Sequence, residues 1–263
     1  MNTRHLPLLT ILAGLLFATS ARAQPVSAPT SAPTTAPLPE PADEPTVKLD
    51  RTHKQDQHFT ELHRGFIKRG KEGPIDLLFL GDSITEFWLS GPYQAPKIWQ
   101  EHYWKYTPAD FGIAGDRTQH VLWRIADHEL DNLHPKVVVL MIGTNNTAGN
   151  TAEEITAADV KIVQQIHEKL PEAKLLLLGI FPRGADPADP KVAPLREKIT
   201  AINTELAKLD DGSKIRYLDI GSKFLDADGK IPVDVMKDAL HPTPKGYQIW
   251  ADAMQPLLDE MMR

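Results

Sequence analysis

Continuous apolar runs, separated by helical patterns, constrain the fold of this chain more than any other feature. Residues 137–142 read Val-Val-Val-Leu-Met-Ile, and residues 175–178 are all leucine. Short runs of this kind, bounded by turn residues, are typical of strands that are covered on both faces of a sheet. The same criterion predicts five strands, at residues 75–80, 110–113, 136–142, 174–180 and 215–220.

Helical patterns lie between the predicted strands. Thr151 is followed three residues later by Glu154, which is a capping-box pattern, and an apolar stripe then continues until Pro171. Residues 195–206 and 249–261 also carry apolar residues at helical spacing. Alternating strands and helices form parallel sheets with right-handed crossovers. We therefore predict the α/β class, a doubly wound (flavodoxin-like) three-layer sandwich with a central five-stranded parallel sheet.

The first fifty residues differ in character from the rest. Arg4 and His5 precede an apolar run at residues 6–18, and Ala21-Arg22-Ala23 follows it. This pattern predicts a signal peptide at residues 1–23 and a secreted or periplasmic protein. The alternative, an uncleaved membrane anchor, needs about 20 apolar residues, more than the run contains. Residues 24–50 are rich in Pro, Ala and Thr, which predicts a disordered linker before a single domain at residues 51–263.

Composition limits the chemistry that this domain can perform. The chain has 29 basic and 35 acidic residues, a net charge of −6 and no dense basic stripe, so we expect no nucleic-acid partner. It has no cysteine, which excludes disulfides, thiolate metal sites and a cysteine nucleophile. His53, His58 and His63 are five residues apart and do not share one helical face. We interpret them as part of a solvated helix face and predict no metal site.

Polar residues follow the apolar strands at the points where the strands end. Gly81-Asp82-Ser83 follows the first strand, Gly115 the second and Asn145 the third, while Asp238 and His241 precede the last helix. The carboxyl ends of parallel strands open at one edge of the sheet. These residues are therefore expected to lie close together.

The residue types suit acyl transfer. The Ser83 hydroxyl needs a base to become a nucleophile, and His241 is the candidate base. Asp238 lies three residues before it, so a turn can bring its carboxylate to the imidazole. Gly115 and Ser83 can offer backbone N–H groups, and Asn145 its amide, as donors to an oxyanion.

Taken together and in order, these blocks resemble the SGNH, or GDSL-type, hydrolase family from about residue 75 to the C-terminus. Many members have leucine where this chain has Ile84, and aspartate where it has Asn146. The resemblance implies a Ser83, Asp238 and His241 catalytic set with an oxyanion hole formed by Ser83, Gly115 and Asn145. Within the family, residues 111–124, 136–146 and 179–184 are similar to the catalytic subunits of intracellular platelet-activating-factor acetylhydrolase. Those enzymes remove acetyl groups from a phospholipid, and the resemblance implies that no cofactor is used.

Four residues near the strand ends are candidates for a substrate pocket: Asp82, Trp88, Phe181 and Arg183. For Trp88, and for the aromatic residues that follow it, packing in the core is an equal alternative. Asp82 is better explained as a turn or network residue than as a catalyst.

We predict a secreted serine esterase that hydrolyses short-chain (acetyl) esters and deacetylates carbohydrate. One alternative is acetylhydrolase or lysophospholipase-type activity on lipids like platelet-activating factor, and another is a non-catalytic glycan-binding module. A nucleotide binder is disfavoured because the chain has neither a G-x-G-x-x-G fingerprint nor a Walker loop after a strand. The expected partner is a small-molecule or glycan ester. We expect no stable membrane anchor, and the oligomeric state stays open, with a homodimer as one option.

Overall fold

The computed structural model of the chain describes residues 40–263. The predicted signal peptide, at residues 1–23, and residues 24–39 of the predicted linker lie outside the described residues. No helix within residues 40–263 is long and apolar enough to cross a membrane.

A five-stranded parallel sheet forms the centre of the described domain, which confirms the predicted fold class. Its strands are β1 (Leu77–Gly81), β2 (Pro108–Gly112), β3 (Val137–Met141), β4 (Lys174–Leu178) and β5 (Ile215–Leu218). Their order across the sheet is β2-β1-β3-β4-β5. In the register, Gly81 pairs with Gly112 on one side and with Met141 on the other. The three neighbouring strands β2, β1 and β3 therefore end at the same level.

One helix precedes the first strand, and the other helices lie between the strands or after the last one. They are α1 (Gln57–Lys71), α2 (Ser83–Glu86), α3 (Pro96–Tyr103), α4 (Thr118–Ala126), α5 (Ala152–Lys169), α6 (Ala193–Leu206) and α7 (Pro244–Met261). The predicted capping box opens α5: the Glu154 N–H donates to Thr151 Oγ1 at 3.2 Å, and the Thr151 N–H donates to Glu154 Oε2 at 2.9 Å. Helix α1 begins at Gln57 because the Asp56 carboxylate caps it, accepting the Phe59 N–H at 2.8 Å.

Two separate cores lie on the two faces of the sheet. Leu78 and Leu80 of β1 belong to the core beneath α4, α5 and α6, whereas Leu77 and Phe79 belong to the core beneath α3 and α7. Successive strand side chains point to opposite faces, so a fully apolar strand supplies both cores. This arrangement gives the three layers that the apolar runs predict.

Of the four candidates for a substrate pocket, Trp88 and Phe181 lie in the core, which is the alternative given above for Trp88. Both side chains are almost completely buried. The Trp88 ring lies 4.4 Å from that of Tyr247 and 5.1 Å from that of Trp250, and the Phe181 ring lies 5.0 Å from that of Trp250. Large aromatic side chains next to strand ends pack under the flanking helix as readily as they line a pocket.

Residues 40–50, hereafter the N-terminal segment, pack onto the domain, although we predicted them to be the end of the linker. The Thr118 hydroxyl donates to the Ala42 carbonyl at 2.7 Å, and the Thr46 N–H donates to the Gln119 carbonyl at 3.1 Å. These contacts use backbone groups, which leave no apolar pattern in a sequence. The packed domain thus begins before Arg51.

His63 is buried, in contrast to the solvated face that we predicted, whereas His53 and His58 are exposed. Its Nδ1 lies 2.8 Å from Glu129 Oε2, and its Nε2 lies 3.0 Å from Asp127 Oδ2. Burial by itself lowers the pKa of His63, but the two carboxylates outweigh burial and raise this pKa above its usual value. The carboxylate partners are about 65 positions away in sequence, so the helical pattern alone could not reveal them.

Candidate active site

Ser83, His241 and Asp238 form a continuous line of hydrogen bonds at the carboxyl edge of the sheet. Ser83 Oγ lies 2.9 Å from His241 Nε2, and His241 Nδ1 lies 2.7 Å from Asp238 Oδ2. Ser83 is buried, the His241 side chain is 18% exposed and that of Asp238 is 43% exposed. The Ser83 hydroxyl therefore lies below the protein surface, whereas the Asp238 carboxylate faces solvent.

The turn between Asp238 and His241 fixes the geometry of this pair. Asp238 Oδ1 accepts the N–H groups of Leu240 at 3.1 Å and of His241 at 2.8 Å, and Ala239 adopts a φ of +56°. Partial burial raises the pKa of Asp238, but the hydrogen bonds from His241 and Leu240 hold it below its usual range. An ionised carboxylate can only accept, so Nδ1 carries the proton in the neutral imidazole, and in that tautomer the Nε2 lone pair faces the serine.

The three residues predicted to bind an oxyanion lie on the loops after β1, β2 and β3. Asn145 connects these loops, since its Nδ2 donates to the Asp116 carbonyl at 2.8 Å and lies 3.5 Å from Asp82 Oδ2. Gly115 has a φ of +76°, a conformation that favours glycine. Neither the Ser83 nor the Gly115 N–H donates a hydrogen bond within residues 40–263. Both remain available to a ligand.

The model of the GDSL-like lipase/acylhydrolase family matches residues 79–249, more than half of the chain. The chain belongs to this family. The match spans all the blocks on which the predicted resemblance rests. Membership supports ester hydrolysis as the reaction class of this GDSL-like acylhydrolase.

A curated relative agrees with this assignment, and solved structures share the fold. The chain is 38% identical over 209 residues to platelet-activating factor acetylhydrolase IB subunit alpha2 from Rattus norvegicus, covering 79% of this chain and 85% of that protein. A GDSL-like lipase from Bacteroides thetaiotaomicron has a similar fold, with a TM-score of 0.61, 19% identity and coverage of 75% of this chain and 97% of that one. A carbohydrate acetylesterase family member from Sinorhizobium meliloti matches with a TM-score of 0.55, 16% identity and coverage of 71% and 98%.

Asp82 of this GDSL-like acylhydrolase holds the loops together. It is the N-cap of α2, where its Oδ1 accepts the Ile84 N–H at 2.9 Å. Complete burial raises the pKa of Asp82 to about 7, and the nearby charge of Asp116 adds to the effect. Its hydrogen-bonding partners are the backbone and Asn145 rather than His241, which fits a network residue.

Arg183 lies beside the loop after β3. Its Nη1 donates to the Thr144 carbonyl at 2.9 Å, and the side chain is half-buried. Burial lowers the pKa of Arg183, while the charges of Asp82 and Asp238 counteract this change. Arg183, one of the four candidate pocket residues, thus places a positive charge near the turn that carries Ser83 and the turn that carries His241.

Sequence reasoning missed three neighbours of the site. The Phe87 ring lies 5.0 Å from the His241 ring, and the Tyr247 hydroxyl donates to the Ile84 carbonyl at 2.8 Å. Glu86 Oε2 accepts the Ala114 N–H at 2.5 Å and so holds the loop that carries Gly115. The sequence offered only their positions as a signal: Glu86 and Phe87 lie about one turn after Ser83, and Tyr247 lies near the start of the last helix. Within residues 40–263, no group of three or more His, Asp or Glu side chains is arranged to hold a metal ion.

A buried carboxyl lies beneath the loop after β3. Asp159 of α5 is completely buried, neither of its carboxyl oxygens has a hydrogen-bond partner within residues 40–263, and burial raises its pKa well above the usual value. Its Oδ2 would lie 3.5 Å from a Cβ added at Gly143. Because the folded-state pKa of Asp159 is raised, its protonated carboxyl stabilises the fold. This contribution to the free energy of unfolding is complete below the unfolded-state pKa of about 3.9, and it is lost as pH rises through the folded-state pKa.

We therefore expect Asp159→Asn, which cannot ionise, to raise the melting temperature more at about pH 9 than at about pH 5. Thermal unfolding at both pH values measures this difference. The exposed Asp228→Asn is the matched control and should show no such dependence. Equal changes in melting temperature at the two pH values for Asp159→Asn would contradict the argument.

Proposed function

We propose that this GDSL-like acylhydrolase is a serine esterase that uses Ser83, His241 and Asp238. The observation that carries the proposal is the line of hydrogen bonds from Ser83 Oγ through the His241 ring to Asp238, at 2.9 and 2.7 Å. A nucleophile bonded to a base that is itself held by a carboxylate is the arrangement that activates a serine hydroxyl.

The reaction follows from these contacts. His241 Nε2 takes the Ser83 proton as Oγ forms a bond to the ester carbonyl carbon, and the carbonyl oxygen becomes an oxyanion. Asp238 stabilises the imidazolium that results. The intermediate then collapses, the bond to the alcohol breaks and His241 protonates the departing oxygen. A water molecule, deprotonated by His241, releases the acid from Ser83 by the same steps.

Asn145→Ala should lower kcat by about 10²–10³, the usual effect of removing one oxyanion donor, with little change in KM. The Asn145 amide has two N–H groups, one bonded to the Asp116 carbonyl at 2.8 Å and one that faces Asp82 Oδ2 at the longer distance of 3.5 Å, and we expect the second to donate to the oxyanion instead. Steady-state kinetics with an activated acetate ester measures both constants. A variant whose KM rises while kcat stays the same would make Asn145 a substrate-binding residue instead.

We further propose that the acyl group is short, with acetyl as the principal substrate. The loop between β2 and α4 spans only residues 113–117, and that between β3 and α5 only residues 142–151, so these two loops supply little chain for an acyl tunnel. Trp88 and Phe181 lie in the core and do not form an apolar channel beside Ser83. The relative that is 38% identical is named an acetylhydrolase, which supports the same acyl group.

A series of p-nitrophenyl esters tests the acyl preference. We expect kcat/KM to peak at acetate or propionate and to fall by octanoate, because a short pocket excludes longer chains. In an open apolar groove, each added methylene would instead contribute about 0.8 kcal/mol to binding. A rise in kcat/KM toward octanoate or palmitate would contradict the short pocket and favour a lipase.

For the alcohol, we propose an acetylated carbohydrate outside the cytoplasm. This part rests on the signal-peptide pattern of residues 1–23, and the fold also occurs in a protein described as a carbohydrate acetylesterase family member. A mature chain that begins at Gln24 would support the location, and N-terminal sequencing of exported protein tests it. An intact Met1 in membrane fractions would contradict it.

An acetylated ether phospholipid is the second candidate substrate, because the 38% identical relative is named for platelet-activating factor. Acetate release from acetylated oligosaccharides and from such a phospholipid, measured side by side, separates the two. Release from the lipid alone would replace the carbohydrate proposal.

A further inference from the structure

The N-terminal segment brings a lysine to the loop that carries Gly115. The Lys48 side chain is only 14% exposed, and its ammonium donates a hydrogen bond to the Ala114 carbonyl. The same Nζ lies 3.6 Å from Asp116 Oδ1. A Cβ added at Gly115 would lie 3.1 Å from this nitrogen. Lys48 is therefore in contact with the backbone around the predicted oxyanion donor.

The carbonyl that Lys48 binds belongs to the same peptide group as the Gly115 N–H. A trans peptide is planar, and its C=O and N–H point in opposite directions. A cation on the oxygen draws electron density through the conjugated group, so the N–H at the other end becomes a stronger donor. The Gly115 N–H has no acceptor within residues 40–263, so it is free to donate to a ligand.

The peptide groups before and after the Ala114–Gly115 peptide are also held by hydrogen bonds. The Ala114 N–H donates to Glu86 Oε2 at 2.5 Å, and the Asp116 N–H donates to the Ile113 carbonyl at 3.0 Å. The loop is thus fixed at each position except the Gly115 N–H. A fixed and polarised donor needs no reorganisation when negative charge develops on a substrate oxygen.

We propose that Lys48 is a positioning residue for catalysis, which orients and polarises the Gly115 N–H as an oxyanion donor. This inference rests on the proposed esterase function. It makes the N-terminal segment part of the active-site structure. The competing explanation is that Lys48 only neutralises the buried Asp116 carboxylate.

Lys48→Met removes the charge and keeps most of the apolar stem. With p-nitrophenyl acetate, we expect kcat per active serine to fall about tenfold, less than for loss of a whole donor, while KM changes less than about twofold. Active serines are counted by labelling with a fluorophosphonate. Lys161→Met is the matched control, because Lys161 Nζ donates to the Asp43 carbonyl at 2.7 Å and so holds the same segment away from Gly115. Its kcat should match that of the wild type.

The affinity for methylboronic acid separates the two explanations. It should not depend on Lys48 if Lys48 only neutralises Asp116. Ser83 Oγ forms a bond to boron, its proton passes to His241, and the resulting tetrahedral anion places an oxygen where the oxyanion forms. We expect Lys48→Met to weaken this inhibitor by the same factor as kcat. Lys48→Arg, which keeps the charge, should retain kcat within about threefold and also serves if Lys48→Met does not fold.

Three results would overturn the proposal: a Lys48→Met enzyme with wild-type kcat, one whose kcat falls while boronic acid binding is unchanged, or a folded Lys48→Arg enzyme that has lost at least tenfold. An equal loss in Lys161→Met would assign the effect to the segment as a whole and also overturn it. If the wild type itself neither hydrolyses the ester nor reacts with the fluorophosphonate, the esterase function fails, and the Lys48 proposal fails with it.

Discussion

Replacement of Ser83 by alanine will lower kcat for p-nitrophenyl acetate by about 10⁴–10⁶, and His241→Ala will have a similar effect, because the two residues act as one proton-transfer unit. Ser83 Oγ bonds His241 Nε2, so the substitution removes one hydrogen bond and leaves both cores intact. The melting temperature should therefore change little. Rates and thermal unfolding measured on the same preparations check both statements.

A fluorophosphonate provides the control for this experiment. It should label the wild type at Ser83 and leave Ser83→Ala unlabelled. A wild type that is folded but neither labelled nor active would favour the non-catalytic glycan-binding module. Retention of most of the activity by Ser83→Ala would require a different nucleophile.

The second large effect concerns stability. Arg124 of α4 is completely buried, with Nη1 2.8 Å from Asp116 Oδ2 and Nη2 2.6 Å from Glu129 Oε1. Its pKa is raised because the two carboxylates outweigh burial, whereas burial raises the pKa of Asp116 to about 6 despite the arginine. Arg124→Met should reduce the free energy of unfolding by about 3–5 kcal/mol, because it removes the cation that the two buried carboxylates share and leaves Asp116 with only Lys48 and Glu129 with only His63.

Urea unfolding of Arg124→Met and the wild type measures this loss. Lys208→Met is the control, since Lys208 forms an exposed ion pair with Glu205 at 2.6 Å on the surface, and we expect its unfolding midpoint to match that of the wild type. Equal midpoints for Arg124→Met and the wild type would contradict the role given to Arg124. Because Asp116 lies next to Gly115, activity should fall together with stability in Arg124→Met.

The parts of the fold that depend on local pattern could be predicted from the sequence. Fully apolar strands, the capping box at Thr151 and the strand–helix alternation each reflect a short-range preference that the final packing does not oppose. The family resemblance rests on the strand-end residues. Parallel strands alone bring these residues together at one edge of the sheet, and Ser83 does contact His241 there.

The remainder depends on partners that are far apart in sequence. His63 belongs to a polar helix, yet it is buried, and both its ring nitrogens bond carboxylates that follow α4 in the sequence. Trp88 and Phe181 lie near the strand ends, but α7 covers them. Apart from the Lys48 side chain, the N-terminal segment is held mainly through its backbone groups, which any sequence could supply, so its composition indicated a linker.

The order of the site residues along the chain has a consequence for biosynthesis. Ser83, Gly115 and Asn145 come from three adjacent strands in the first part of the domain, whereas Asp238 and His241 directly precede α7. A growing polypeptide, or one clipped by a protease before Asp238, holds the groups proposed to bind an oxyanion but lacks the proposed base. On the proposed mechanism, enzymatic competence therefore requires the last part of the domain, in which α7 packs against the serine turn and the Tyr247 hydroxyl bonds the Ile84 carbonyl. The fold thus delays hydrolytic activity until synthesis of the domain is almost finished.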